Sequence, residues 1–264
     1  MGIGEAPRTA NLARICGQCY HSSAMLKAVF FDMYGTLAGF EPSRFAVQSQ
    51  ACAQFGVQVT PEGIVKGYGA ADAYMARENA VRHLRLRDPR ERDLFFAEYE
   101  RLVLRGSGVE VSQECALEIW RRIRKVPYSL APFADVVPTL EAVRERGLIV
   151  GLITNMDGEG DDIARDLGLE EHLDLTVTSM EVGATKPDPA IFKAALSRAD
   201  AEPAEAMHVG DQLSSDVEGA ASAGLTPVLL DRDGIHRGYT AHPRIESLAD
   251  LPALVDQIRD ADAD

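Results

Sequence analysis

The chain lacks several things that would assign it to a class. Nowhere in its 264 residues is there a run of about 18 apolar residues, so no membrane-spanning helix is expected. Positive charge is scarce: 27 Lys+Arg stand against 41 Asp+Glu, a net charge of -14. That balance argues against nucleic acid and anionic membranes as partners, since both reward basic patches. Cysteine is limited to Cys16, Cys19, Cys52 and Cys115. The first two have the spacing of half a zinc site. A structural zinc takes four ligands, no second pair of that spacing exists, and nothing forces His21 or His208 to join, so reduced thiols are expected. No secretory apolar segment precedes the first strand, and the expected compartment is the cytoplasm. Internal repeats and low-complexity segments are absent too.

What is present is an ordinary supply of core material, 46% hydrophobic residues, enough for one large domain or two smaller ones. Residues 1–24 mix Gly, Pro, Arg, Ser and Cys without a period and read as a poorly ordered extension. Met25 stands where a compact domain could begin. Next comes Lys27-Ala-Val-Phe-Phe-Asp-Met-Tyr-Gly-Thr-Leu-Ala38, around which the rest is arranged. Ala28 to Phe31 read as a buried parallel strand. The run stops at Asp32, and Gly35 and Thr36 turn the chain. A carboxylate at the carboxyl end of a buried strand sits where open α/β sheets bind ligands, and it needs a cation or donors beside it.

From about Glu41 to Lys125 the pattern is helical, with no convincing strand. One helix carries Phe45, Val47, Cys52 and Phe55 and ends at Gly56. Thr60-Pro61 caps a second, Asp88-Pro89 a third that runs to Gly106, and Ser112 a fourth. From Ala134 helices and strands alternate. The predicted strands are Leu148 to Ile153, Leu175 to Thr178, Met207 to Gly210 and Pro227 to Asp231. The predicted helices are Val136 to Arg146, Gly160 to Leu167, Pro189 to Arg198, Val217 to Ala223 and Leu251 to Ile258. This alternation predicts an α/β fold: a doubly wound parallel sheet with a helical unit inserted after the first strand.

Four polar groups end these strands or their loops: Asp32, Thr154-Asn155, Lys186-Pro187-Asp188-Pro189, and Gly210-Asp211 followed by Asp216. Parallel strands place their carboxyl ends on one edge, so the groups converge. Asp32, Asp211 and Asp216 offer oxygens to a hard cation such as Mg²⁺. Lys186 adds a fixed charge, Thr36 and Thr154 hydroxyls, and Asn155 an amide. Such a set suits a phosphoryl group, whose transfer is largely positioning and charge stabilisation, with a carboxylate able to act as nucleophile. Singly each residue is weak, because a strand-end Asp is often a cap or turn former.

In these four stretches, including Phe31-Asp-Met-Tyr-Gly-Thr-Leu37 and Gly210-Asp-Gln-Leu-Ser-Ser-Asp216, the chain resembles the haloacid dehalogenase superfamily of hydrolases from Met25 onward. The resemblance implies a Rossmann-like core over residues 25–37 and 133–264, with a mobile helical cap over 38–132. It implies Asp32 as nucleophile and Mg²⁺ ligand, the Tyr34 carbonyl as second ligand, Thr154 and Lys186 holding the substrate's phosphate or carboxylate, and Asp211 and Asp216 completing the metal site. One departure stands out. The family's phosphatases carry a second Asp, a general acid, where this chain has Tyr34. Its 2-haloacid dehalogenases carry Tyr there and need no metal, but have Ser-Asn in place of Gly210-Asp211. Without a cation the extra carboxylates would repel Asp32, so the expected activity is a Mg²⁺-dependent phosphatase acting on a small phosphorylated molecule. A 2-haloacid dehalogenase and a weakly active binding protein are the alternatives. Tyr68, Tyr74, Arg77, Arg82 and His83 lie on or near the second helix of the insert, where charges are usually a solvated face; a basic residue facing the site would suit a second phosphate or carboxylate.

Overall fold

A computed structural model describes residues 25–82, 84–127 and 129–261. The expected extension at 1–24, with Cys16, Cys19 and His21, lies outside the described residues, as does His83. The strands are β1 (Ala28–Phe31), β2 (Ala38–Glu41), β3 (Ser129–Pro132), β4 (Ile149–Thr154), β5 (Leu175–Thr178), β6 (Ala206–Gly210), β7 (Thr226–Leu230) and β8 (Arg244–Ile245). The helices are α1 (Arg44–Ala53), α2 (Pro61–Val81), α3 (Pro89–Gly106), α4 (Gln113–Ile123), α5 (Val136–Glu145), α6 (Gly160–Asp166), α7 (Ser179–Val182), α8 (Pro189–Arg198), α9 (Glu218–Ser222) and α10 (Leu251–Ala261).

Six strands form one parallel sheet in the order β5-β4-β1-β6-β7-β8. β1 is central, with Ala28 opposite both Ile149 and Ala206, and Phe31 opposite both Leu152 and Val209. Its four residues are fully buried because both sheet faces are covered. Val29 and Phe31 join the apolar layer under α5 and α10, while Ala28 and Phe30 join the layer under α8. Strand side chains alternate faces, so one tetrapeptide serves two cores.

Between β2 and β3 the four helices α1 to α4 pack on one another around two apolar clusters of their own. Ser43, Thr60, Asp88 and Ser112 each cap a helix by accepting a backbone N–H, and Asp88 with Glu91 forms a reciprocal capping box. α2 and α3 cross with their backbones nearly touching. A Cβ on Gly67 would fall 2.0 Å from the Val103 carbonyl oxygen, so only glycine fits there.

The expectation of no strand from Glu41 onward is corrected at its edge. β2 and β3 pair antiparallel as a two-stranded ribbon, Ala38 opposite Pro132 and Glu41 opposite Ser129. Each is four residues long and contains Gly39 or Pro132, and the partner lies some ninety residues away, so no local period marks it. The ribbon's root is fastened by Arg232. Its guanidinium makes two bonds to Asp135, at 2.8 and 2.9 Å, and donates to the Thr36 carbonyl at 2.9 Å. It also lies 4.2 Å from the Phe133 ring centroid. Among the described residues no helix is long and apolar enough to cross a membrane.

Candidate active site

The carboxyl ends of β1, β4 and β6 meet where the chain order reverses across β1, the switch point of an open α/β sheet. Asp32 follows β1, with its backbone N–H tied to the Val209 carbonyl at 2.9 Å. The buried Lys186 ammonium bridges Asp32 Oδ1 and Asp216 Oδ1, at 2.6 Å from each. Asp216 sits in a π-helical turn, Leu213–Val217, and both its oxygens are engaged. Oδ1 also meets His208 Nε2 at 3.1 Å, and Oδ2 accepts the Gln212 N–H at 3.0 Å. Asp32, Asp211 and Asp216 each present an oxygen within 4.8 Å of the others, a group able to hold a metal ion.

The charges are strongly coupled. Burial, only partly offset by Lys186, pushes Asp32 up to about 6. Burial and the neighbouring Asp32 and Asp216 push Asp211 up to about 8. Burial would also raise Asp216, but the Lys186 ammonium and the His208 ring hold it at about 2. The two acids outweigh burial at Lys186 and raise it. Three carboxylates thus face one ammonium, leaving an excess of negative charge.

That excess and the donor chemistry fit a divalent cation. Asp211 Oδ1 is buried without a hydrogen-bond partner, and so is Thr36 Oγ1. Gly35, at φ 84°, packs against Asp211: a Cβ there would fall 2.4 Å from Asp211 Oδ2. The set is all oxygen, as hard cations require.

The other expected residues are placed as follows. Thr154 Oγ1, at the end of β4, accepts the Met156 N–H at 3.2 Å. Asn155 braces the Lys186 backbone from both sides, accepting its N–H at 2.7 Å and donating to its carbonyl at 3.1 Å. Tyr34 leaves the Asp32 turn with its ring 4.9 Å from that of Phe40, and burial, opposed by Arg44, lifts its hydroxyl to about 12. A cavity of about 490 Å³ opens beside Tyr34, Gly35 and Asp211, walled on its far side by α1 and α2. Of the expected α2 residues Tyr68 lines it. Tyr74 stacks on Phe95 instead, and Arg82 pairs with Glu91 at 2.7 Å.

Three residues of this region are not among the expected site residues. His208 supports Asp216 from inside β6; a histidine in a fully buried strand was the available signal. Arg232 and Arg44 gave none, because an isolated arginine looks the same on a surface as in a cavity.

A strand-end carboxylate, a buried ammonium and two further acids after β6 thus lie together at the switch point of an open α/β sheet. The family model of haloacid dehalogenase-like hydrolases matches residues 26–224, and the chain belongs to that family. It is 30% identical over 211 residues to a glyceraldehyde 3-phosphate phosphatase of Methanopyrus kandleri, covering 79% of this chain and 85% of that one. It is 46% identical over 104 residues to mouse haloacid dehalogenase-like hydrolase domain-containing protein 3, a match covering 39% of this chain and 41% of the mouse protein. Among solved structures, a phosphatase of the family from Thermococcus onnurineus superimposes with a TM-score of 0.53 at 26% identity, covering 87% of this chain and 98% of the other.

Proposed function

We propose that the protein is a Mg²⁺-dependent phosphatase of a small phosphorylated metabolite, working through an aspartyl-phosphate on Asp32. The carrying observation is the group of three acids, Asp32, Asp211 and Asp216, around a single ammonium. A metal-free halide-releasing site has no use for Asp211, and the likeness to the Methanopyrus glyceraldehyde 3-phosphate phosphatase supports the same reading.

Asp32, Asp211 and the Tyr34 carbonyl would hold Mg²⁺, with Asp216 in its outer sphere because Lys186, His208 and Gln212 already occupy its oxygens. When bound, the cation neutralises charge on the phosphoryl group and the acids. Asp32 would attack through one carboxylate oxygen and keep the other, Oδ1, for Lys186 and the cation. It forms an O–P bond as the ester O–P bond breaks, and the leaving oxygen takes its proton from solvent. Water then attacks phosphorus and returns Asp32 as a carboxylate. Lys186, Thr154 and Thr36 hold the phosphoryl oxygens. The helices over the cavity act as the cap that excludes water.

Tyr34 favours a second reading, a 2-haloacid dehalogenase, since a neutral phenol that resists ionisation cannot relay protons as a carboxylate does. One experiment separates the two: phosphate and chloride release from phenyl phosphate and 2-chloropropionate, each with Mg²⁺ and with chelator. Expected are Mg²⁺-dependent phosphate release, its loss in Asp32→Asn and its sharp weakening in Asp211→Asn. Chloride release that survives chelation overturns the proposal.

A further inference from the structure

The cavity beside the site holds a cation with no salt-bridge partner among the described residues. Arg44 is the first residue of α1, where the helix dipole disfavours positive charge. Helix stability therefore does not explain its place. Its guanidinium carbon lies 4.9 Å from the ring centroids of Tyr34 and Tyr68 and 5.3 Å from that of Phe40. It is half-buried, and no ion pair joins it to a carboxylate among the described residues. Of the cavity's acids, Asp72 accepts the Tyr99 hydroxyl at 2.6 Å, Asp211 belongs to the group of three acids, Asp231 is held by Arg244 at 2.7 Å, and Asp233 is exposed.

A guanidinium laid over aromatic faces is fixed in direction yet keeps its N–H donors for a planar anion. Tyr34 links the two ends of the cavity. Its backbone belongs to the turn after Asp32, and its ring lies under Arg44. The wall between is largely apolar, with Phe40, Ile64 and Phe133 on it.

We infer that Arg44 selects phosphate esters whose leaving group carries a second anionic group, a carboxylate or a phosphate, on an apolar frame. This rests on the phosphatase reading, with the phosphoryl group at Asp32 and the leaving group in the cavity. Arg44 is then a specificity residue that touches substrate far from the breaking bond.

The test compares kcat/KM for phenyl phosphate, 4-carboxyphenyl phosphate and 1,4-phenylene bisphosphate with Mg²⁺. The wild type is expected to favour one of the charged esters over phenyl phosphate by about 10- to 100-fold, the scale of a charged hydrogen bond, and the favoured one identifies the anion. Arg44→Ala and the longer Arg44→Gln are expected to bring that ratio close to one through KM, while Arg124→Ala keeps it. Equal turnover of all three esters by wild type overturns the role of Arg44 and leaves the phosphatase reading standing. If no ester is turned over, the phosphatase reading fails on its own. Calorimetric titration of 4-carboxyphenyl phosphate and of the bisphosphate into Asp32→Asn, with and without Arg44→Gln, then decides on Arg44. Weaker binding of either without Arg44 supports it, and equal binding of both overturns it.

Discussion

The strand-end site and the helical layer above it are built on opposite electrostatic plans. Residues 25–37 and 133–264 carry 11 Lys+Arg against 28 Asp+Glu, whereas residues 38–132 carry 14 against 12. At the strand ends the charges are buried and interlocked, Asp32, Lys186, Asp216 and His208 in one chain of contacts. In the helices the ion pairs lie mainly on the surface, such as Arg105 with Glu110 and Arg121 with Asp93. The acidic half needs positive charge to work, and the helical half is where a spare arginine is found. One half buries its charges in contact with one another, and the other carries most of its charge at the surface.

The largest effect expected from breaking this contrast is at Tyr34, which belongs to both halves. Tyr34→Asp installs a carboxylic acid beside Asp32 and is expected to raise turnover of alkyl phosphates by about 10²–10⁴-fold relative to aryl phosphates. Steady-state kinetics on ethyl and phenyl phosphate measure it, and an unchanged ratio would show that another group already supplies the proton.

Next come the charges themselves. Lys186→Met strands two buried carboxylates and is expected to destabilise the fold by about 3–5 kcal/mol in urea melts. Arg105→Ala, which removes surface pairs with Glu98 and Glu110, is expected to stay within about 1 kcal/mol. Equal losses in the two variants would erase the distinction drawn here.

The helices depend on shape more than on charge. Gly67→Ala forces a methyl group into the Val103 carbonyl and is expected to cost about 1–3 kcal/mol, read as a lowered Tm.

A pH-dependent effect sharpens the comparison from inside the helices. Glu100 is buried beside Gln48, whose amide donates to it, and burial pushes its carboxyl up to about 8 from the ordinary 4.5. The folded protein therefore holds a proton on Glu100 that the unfolded chain releases above 4.5. Its contribution to stability is full below that value and is lost as pH rises toward 8, with a slope of at most about 1.4 kcal/mol per pH unit. Stability curves of wild type and Glu100→Gln are expected to diverge over that window, the variant being the flatter.

The core was legible because its signals are local. A buried tetrapeptide ending in Asp32, a buried hexapeptide ending in Thr154 and a pentapeptide ending in Gly210-Asp211 each announce a strand and its chemistry within a few residues. The helix starts were legible for the same reason, since a capping side chain acts within three residues. β2 and β3 were not, because each exists only through the other. The bracing of the Lys186 backbone by Asn155 has no local signal, because its partner is a loop thirty-one residues away. Arg44 has none either, because the placement of α1 depends on a ribbon that no local period marks.

The fastening of Arg232 to Thr36 and Asp135, with Phe133 beneath it, has a mechanical consequence. The strand pair that carries the helices is bolted at its root, so a swing about that point would disturb fewer contacts than a slide. α2 has 21 residues, about 31 Å of rigid arm at 1.5 Å per residue, so a rotation of about 10° carries a tip at that radius through roughly 5 Å. Groups near the pivot, Tyr34 and Phe40 among them, would travel far less. Substrate entry would then widen the far rim while leaving the seat beside Asp32 undisturbed.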